Sequence, residues 1–222
     1  MQPARLYARD SFLFARELVT AHPWSTLVSV RDGEQIASHT PLLVEAASEQ
    51  SLVLVTHLGL ADARLHGFHE EGPHSTLAVV QGVHGYISPS WYLGRDAGTV
   101  PTWNFEAAHL TCSVTALSAE ENLEVLRGLV AHFEAPLEDG VELDTSEATT
   151  IGLARGTLGL RLHVQRVTGK AKFSQNKSEE TRANVIAQLR GDGPYGDPLL
   201  AERMTLESDG RAAASASGDL VR

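Results

Sequence analysis

Alternation of apolar and polar positions with a period of two dominates this chain, and it is cleanest over residues 157–165. There Leu158, Leu160, Leu162 and Val164 fall on one side and Arg161, His163 and Gln165 on the other, as in a strand with one face in a core. Residues 24–30 predict an earlier strand, and Asp32-Gly33 supplies the two positive-φ residues of a tight hairpin. The returning strand covers residues 35–44, with Pro41 marking an edge or a bulge. Residues 52–56, 75–83 and 109–117 predict three more strands.

Helical signals are fewer. Residues 10–22 predict a helix with Asp10 as N-cap, Phe14 and Leu18 on one face and Pro23 as its stop. Residues 57–67 predict a short helix, broken by Gly72-Pro73. Ser118 and Glu121 form a capping box ahead of the stripe Leu123, Leu126, Leu129, Val130 and Phe133. Ser178 caps a last helix that runs to Arg190, with Gly191 just past its end. Short strands, hairpin signals and few helices predict a mostly β (α+β) fold: a closed or half-closed antiparallel barrel with helical covers. The predicted domain spans residues 1–190, its last helix at 178–190, and residues 191–222 form an extension whose last dozen residues are expected to be mobile.

Charge refines this picture. The formal net charge of −10 argues against phosphate-led nucleic-acid binding, so a DNA partner is only weakly supported. Residues 117–147 carry nine acids and one base, Arg127, whereas residues 148–178 hold no acid and six bases. Those bases are Arg155, Arg161, Arg166, Lys170, Lys172 and Lys177, which suggests an anion site or a surface paired with the acidic stretch. The single cysteine, Cys112, excludes an internal disulfide framework and reads as a small buried hydrophobe. No long apolar run and no basic leader precede the first element, so no membrane partner and a cytoplasmic location are expected. No close histidine pair with metal-ligand spacing occurs.

Candidate chemistry gathers in residues 81–104, QGVHGYISPSWYLGRDAGTVPTWN, which hold two of the three tryptophans. Flat rings beside hydroxyls and proline-pinned backbone suit a pocket with an apolar wall and a few placed polar groups. Core packing of Trp91, Tyr92 and Trp103 is the alternative. No nucleophile–histidine–acid set and no GxSxG is present, so any redox activity must be carried by a cofactor.

The segments ASHTPLL (37–43), GYISPSWY (85–92), VPTWNF (100–105) and KAKFSQNK (170–177) resemble, in this order, the PaiB family of FMN-binding negative transcriptional regulators. The resemblance spans about residues 1–190 and implies an FMN-binding split β-barrel, related to pyridoxamine phosphate oxidase, with FMN between the subunits of a homodimer. A flavin-dependent oxidoreductase or flavin reductase on the same barrel is the alternative, and haem a more distant one. The implied cofactor-binding residues are His39, His57, Ser88, Ser90, Trp91, Thr102, Trp103, Asn104, Lys170, Lys172, Ser174, Gln175 and Asn176. Of these, Lys170, Lys172, Ser174, Gln175 and Asn176 suit the phosphate or the ring carbonyls, Trp91 and Trp103 the ring face, and His39 and His57 the ribityl chain or ring edge. Gln175 and Asn176 have a second reading as caps of the helix that starts near Ser178. The chain departs from the family's usual GHLARANP with THLGLADA (56–63), which keeps His57 but places Leu60 and Asp62 where an arginine and an asparagine are usual. It also carries the acidic LEDGVELD (137–144) where the family has a Pro-Trp pair.

Overall fold

A computed structural model describes residues 4–216, with side chains described to position 209. Seven strands form one antiparallel sheet in the order β2-β1-β5-β6-β7-β4-β3, which is not closed. They are β1 (Trp24–Arg31), β2 (Glu34–Pro41), β3 (Leu43–Ala47), β4 (Leu52–Gly59), β5 (His74–Ile87), β6 (Thr102–Ala116) and β7 (Thr157–Lys172). Six helices accompany them: α1 (Phe12–Ala21), α2 (Leu60–His66), α3 (Ala119–Glu134), α4 (Ala148–Ala154), α5 (Glu179–Arg190) and α6 (Pro198–Ala216). The predicted α+β split barrel is the fold observed.

The chain divides into two compact units. The larger comprises Asp10–Gln81 and Ala108–Gly169, and the smaller comprises the described parts of Met1–Arg9, Gly82–Ala107 and Lys170–Arg222. In the larger unit the hairpin β1–β2 turns through Asp32 (φ 52) and Gly33 (φ 84), as predicted. Its core is made by the inward faces of the strands, with Leu27, Leu54, Ala78, Leu110, Leu160 and Leu162 fully buried and Cys112 among them. α1 lays Phe14, Ala15, Leu18 and Val19 on this core. Its N-cap is Ser11, whose hydroxyl accepts from the Phe14 amide at 3.1 Å, and not Asp10. The Asp10 carboxylate accepts from the Gly169 amide at 2.8 Å instead, because neighbouring Ser11 already fills the capping role. The predicted return strand is two, since the ladder breaks at Leu42 after Pro41 and a bulge follows between Val44 and Ala46. The Ser118–Glu121 capping box forms as predicted and starts α3, which packs Val125 and Leu129 against Leu43, Val55 and Leu117.

Two buried polar clusters shape the larger unit. β2 and β4 are not ladder neighbours, yet the Thr40 and Thr56 hydroxyls meet at 2.6 Å. Thr40 also reaches the His57 carbonyl at 2.8 Å and Thr56 the Pro41 carbonyl at 2.7 Å, so edge strand β2 is tied without a ladder to β4, the strand next to the other edge. His66, at the end of α2, is buried between Ser29 on β1 and Ser38 on β2, 2.9 Å and 3.0 Å from its two ring nitrogens. Its ring lies flat on Phe68 at 4.9 Å.

The smaller unit has its own core of Ile87, Tyr92, Ala171, Phe173, Val185, Leu189, Leu200, Ala201 and Met204. α5 starts at Ser178, as predicted, while α4 and α6 arise where no helix was predicted. The last dozen residues, expected to be mobile, fall partly outside the described residues: only backbone is described for 210–216, and 217–222 lie beyond them.

Burial holds the His66 imidazole below its ordinary value of 6.5, and Asp62 offsets this only in part. The unfolded chain therefore binds the proton more readily than the folded one. This contribution to stability is fully present above about pH 6.5 and is lost as pH falls through that value toward the lower folded one. His66→Gln, which cannot titrate, is expected to flatten the fall in urea midpoint on acidification relative to the unsubstituted chain; an unchanged slope contradicts the assignment.

Candidate functional site

The smaller unit is organised by the turn that follows β7. Phe173 is buried, and Ser174 adopts a left-handed backbone (φ 61) that a non-glycine residue rarely takes. Local polar contacts hold it there. The Gln175 side chain accepts from the Phe173 amide at 2.7 Å and donates to the Ala171 carbonyl at 2.8 Å. The Asn104 amide donates to the Ser174 hydroxyl at 3.0 Å and to Met204 Sδ at 3.3 Å. Beyond the turn, buried Asp96 accepts from the Ser178 amide and hydroxyl at 2.9 and 2.7 Å. Those two bonds from Ser178 hold the Asp96 carboxyl down at about 2, so α5 starts from a fixed point.

This turn sets the direction of three lysines. Lys170 and Lys172 lie two apart on β7 and so share a face. The Lys172 ammonium donates to the Thr102 hydroxyl and, at 3.1 Å, to the Trp103 carbonyl. That of Lys170 lies over the rings of Phe105 and Tyr7, 5.5 and 6.0 Å from their centres. Lys177 sits over the Tyr92 ring at 4.2 Å, donates to Thr99 at 2.9 Å and is 3.9 Å from Asp96. Burial pushes the Lys172 ammonium below its ordinary value, and its like-charged neighbours Lys170 and Lys177 push it further. Among the described residues no carboxylate lies within 4.0 Å of Lys170 or Lys172. Two cations without acid partners beside a hydroxyl have the donor chemistry that a phosphate monoester requires. These residues fit the terminal group of FMN.

The other predicted residues divide by environment. Asn104, Ser174 and Gln175 are buried and use their polar atoms on one another, on the backbone and on Met204 and Glu207 of α6. The Ser88 and Ser90 hydroxyls pair at 2.7 Å, and Ser88 caps the short 3-10 helix Pro89–Trp91. Trp91 packs on the smaller unit's core, and its carbonyl accepts from Asn184 at 2.8 Å. Trp103 is 54% exposed, and Asn176 is exposed. His39 and His57 belong to the larger unit. There His39 bonds Thr26 at 3.0 Å and stacks on Trp24, while His57 keeps a buried Nδ1 with no partner and is pushed below its ordinary value by burial.

The structure adds residues that the sequence reading passed over. Besides Lys177, these are His84, Tyr86, Tyr195 and Asp197, which with the already named Trp103 line an open cleft of about 470 Å³ in the smaller unit, with Gly85 and Gly196 in its walls. Three of these lie in the aromatic run, but Tyr195 and Asp197 sit in a Gly/Pro-rich loop with no periodic signal.

Comparison with known proteins identifies the family and the fold. A family model described as "Putative FMN-binding domain" matches residues 1–166. The protease synthase and sporulation protein PAI 2 of Bacillus subtilis is 28% identical over 187 residues, covering 84% of this chain and 87% of that protein. Among solved structures, the FAD and heme binding protein from Mycobacterium smegmatis superposes with a TM-score of 0.57 at 16% identity, covering 80% of this chain and 79% of that one. The flavocytochrome Anf3 from Azotobacter vinelandii gives the same TM-score of 0.57 and 16% identity, covering 82% of this chain and 78% of its own. At such identity these two show a shared fold.

Gly85 is where α6 closes on β5, since a Cβ there would lie 2.8 Å from Leu200 Cδ2. Gly85→Ala is expected to destabilise the protein by about 1–3 kcal/mol through this overpacking, read as a lower denaturant midpoint. Gly85→Ala combined with Leu200→Ala is expected to be less destabilised than the sum of the single changes, because the clash is removed.

Proposed function

The chain belongs to the family described as "Putative FMN-binding domain", and from that membership we propose an FMN-binding protein whose flavin phosphate rests on Lys170, Lys172 and Thr102. The observation that carries the reading is the pair of lysines on one face of β7 with no carboxylate within 4.0 Å among the described residues. An unneutralised cation pair repels itself, and a phosphate dianion removes that repulsion; the Lys172 ammonium is pushed down first by burial and then by Lys170 and Lys177. The Thr102 hydroxyl, already at the Lys172 ammonium, adds a neutral donor. Asn104, Ser174 and Gln175 act here by holding the turn. When bound, the isoalloxazine ring supplies the redox chemistry, and the side chains named here serve to bind and orient.

We also propose that the protein works as a homodimer with a regulatory role; the Bacillus subtilis relative is a protease synthase and sporulation protein by name. A net charge of −10 sets long-range repulsion against DNA, so the regulatory role proposed does not rest on direct DNA contact. Support for a dimer comes from the outward face of β1, where Trp24 is 65% and Val30 69% exposed beside half-buried Val28. Apolar side chains aligned along one strand face invite a two-fold partner.

Two measurements test these readings. Removing a charge-assisted contact costs about 1.5–3 kcal/mol, so Lys172→Met is expected to weaken FMN binding about 10–100-fold. Riboflavin, which lacks the phosphate, is expected to bind both proteins alike; equal loss for both flavins overturns the phosphate assignment. Sedimentation at micromolar protein is expected to give a dimer that Trp24→Lys weakens, whereas a monomer before any substitution rules the dimer out.

A further inference from the structure

The aromatic cleft of the smaller unit carries chemistry that the phosphate site does not use. Its walls are flat: the His84 and Trp103 rings lie 6.1 Å apart and 25° from parallel, and Tyr86 meets Trp103 edge-on at 6.4 Å. Tyr195 leans on Tyr86 at 4.8 Å. Trp103 and Tyr195 leave 54% and 51% of their surfaces exposed, an unusual amount of ring to leave in water.

One carboxylate joins the rings. Asp197 Oδ1 accepts from the Leu200 amide at 2.9 Å at the start of α6, and Oδ2 lies on the side of Gly85, in the cleft wall. The loop that presents it is rigidly built. The Asp197 amide donates to the Leu189 carbonyl at 2.7 Å, and a Cβ on Gly196 would lie 2.3 Å from the Gly191 carbonyl oxygen, so only glycine permits this path. His84 turns Nδ1 to the Gly82 carbonyl at 3.2 Å, which assigns the proton to Nδ1 in the neutral ring and leaves Nε2 as an acceptor.

Ring faces carry negative electrostatic potential and attract cations, most strongly at tryptophan, and a carboxylate beside them adds to that field. An anion is opposed by the same groups. Flat walls and an open mouth favour a planar guest over a globular one. We propose that this cleft binds a planar aromatic cation of the N-alkylpyridinium class, stacked on Trp103 with Asp197 as its counter-charge. The cleft gives the protein a second ligand chemistry, opposite in charge to that of the lysine pair and independent of flavin retention.

Ligand-observed NMR titration of the flavin-free full chain with N-methylpyridinium tests this, with toluene as the uncharged molecule of the same shape. Saturable binding of the cation, stronger than that of toluene, is expected, and Trp103→Ala is expected to abolish it. Asp197→Asn keeps an oxygen able to cap α6 and is expected to weaken the cation about threefold to tenfold while leaving toluene unchanged. Equal binding of the two molecules, or an unchanged affinity in Asp197→Asn, overturns the proposal. So does displacement of the cation by riboflavin with the same affinity in both proteins, because the cleft is then a surface for the flavin ring.

Discussion

A serine held in a left-handed backbone just after β7 is the constraint on which the smaller unit depends. Such a conformation costs a non-glycine residue about 1–2 kcal/mol, and nothing in Ser174 itself offsets it. The compensation comes from buried partners contributed by three parts of the chain: Asn104 from β6, Gln175 from the turn and Met204 from α6. The result is a β7 that ends with its lysines directed and an α5 that begins under the Asp96 carboxylate. The polar residues of the KFSQN segment thus serve the cation site by shaping backbone, and the lysines before them present the charge.

Charge segregation along the chain resolves into two physical outcomes. Arg161, from the stretch without acids, pairs with Glu45 at 2.7 Å and with Glu121 of the acidic stretch at 3.2 Å, which ties β7 to β3 and α3 within the larger unit. These bonds hold its guanidinium well above the ordinary range, with the Glu45 contact the larger cause. Lys170 and Lys172, nine and eleven residues further on, meet no carboxylate within 4.0 Å among the described residues. One segment therefore supplies both a structural ion pair and an uncompensated cation pair, and only the fold tells them apart.

What the sequence disclosed follows the same division between local and long-range causes. The Asp32-Gly33 turn, the Ser118–Glu121 box and the Leu158–Val164 alternation are local rules, and each is present as read. The N-cap of α1 shifted by one because Asp10 and Ser11 are both competent, and a remote amide at Gly169 decides between them. α6 was illegible because its buried positions, Leu200, Ala201 and Met204, form a short stripe in an otherwise small and polar segment. The lysines proposed for the site stand out in the sequence through the family resemblance and their acid-free setting. That Gln175 and Asn104 point inward, and that Tyr195 and Asp197 reach the aromatic run, depend on tertiary contacts that no spacing encodes.

The seam between β2 and β4 has a property of its own. Two threonine hydroxyls bring two protons to three close contacts: one with each other, one with the Pro41 carbonyl and one with the His57 carbonyl. Two protons cannot fill three contacts, so one of the two carbonyls receives none from the pair. Neither hydroxyl ionises in the physiological range, which makes this fastening indifferent to acid and nearly so to salt. The open sheet is thus fastened, from edge strand β2 to β4, by a clasp that responds to a competing donor and not to the charge state of the solution.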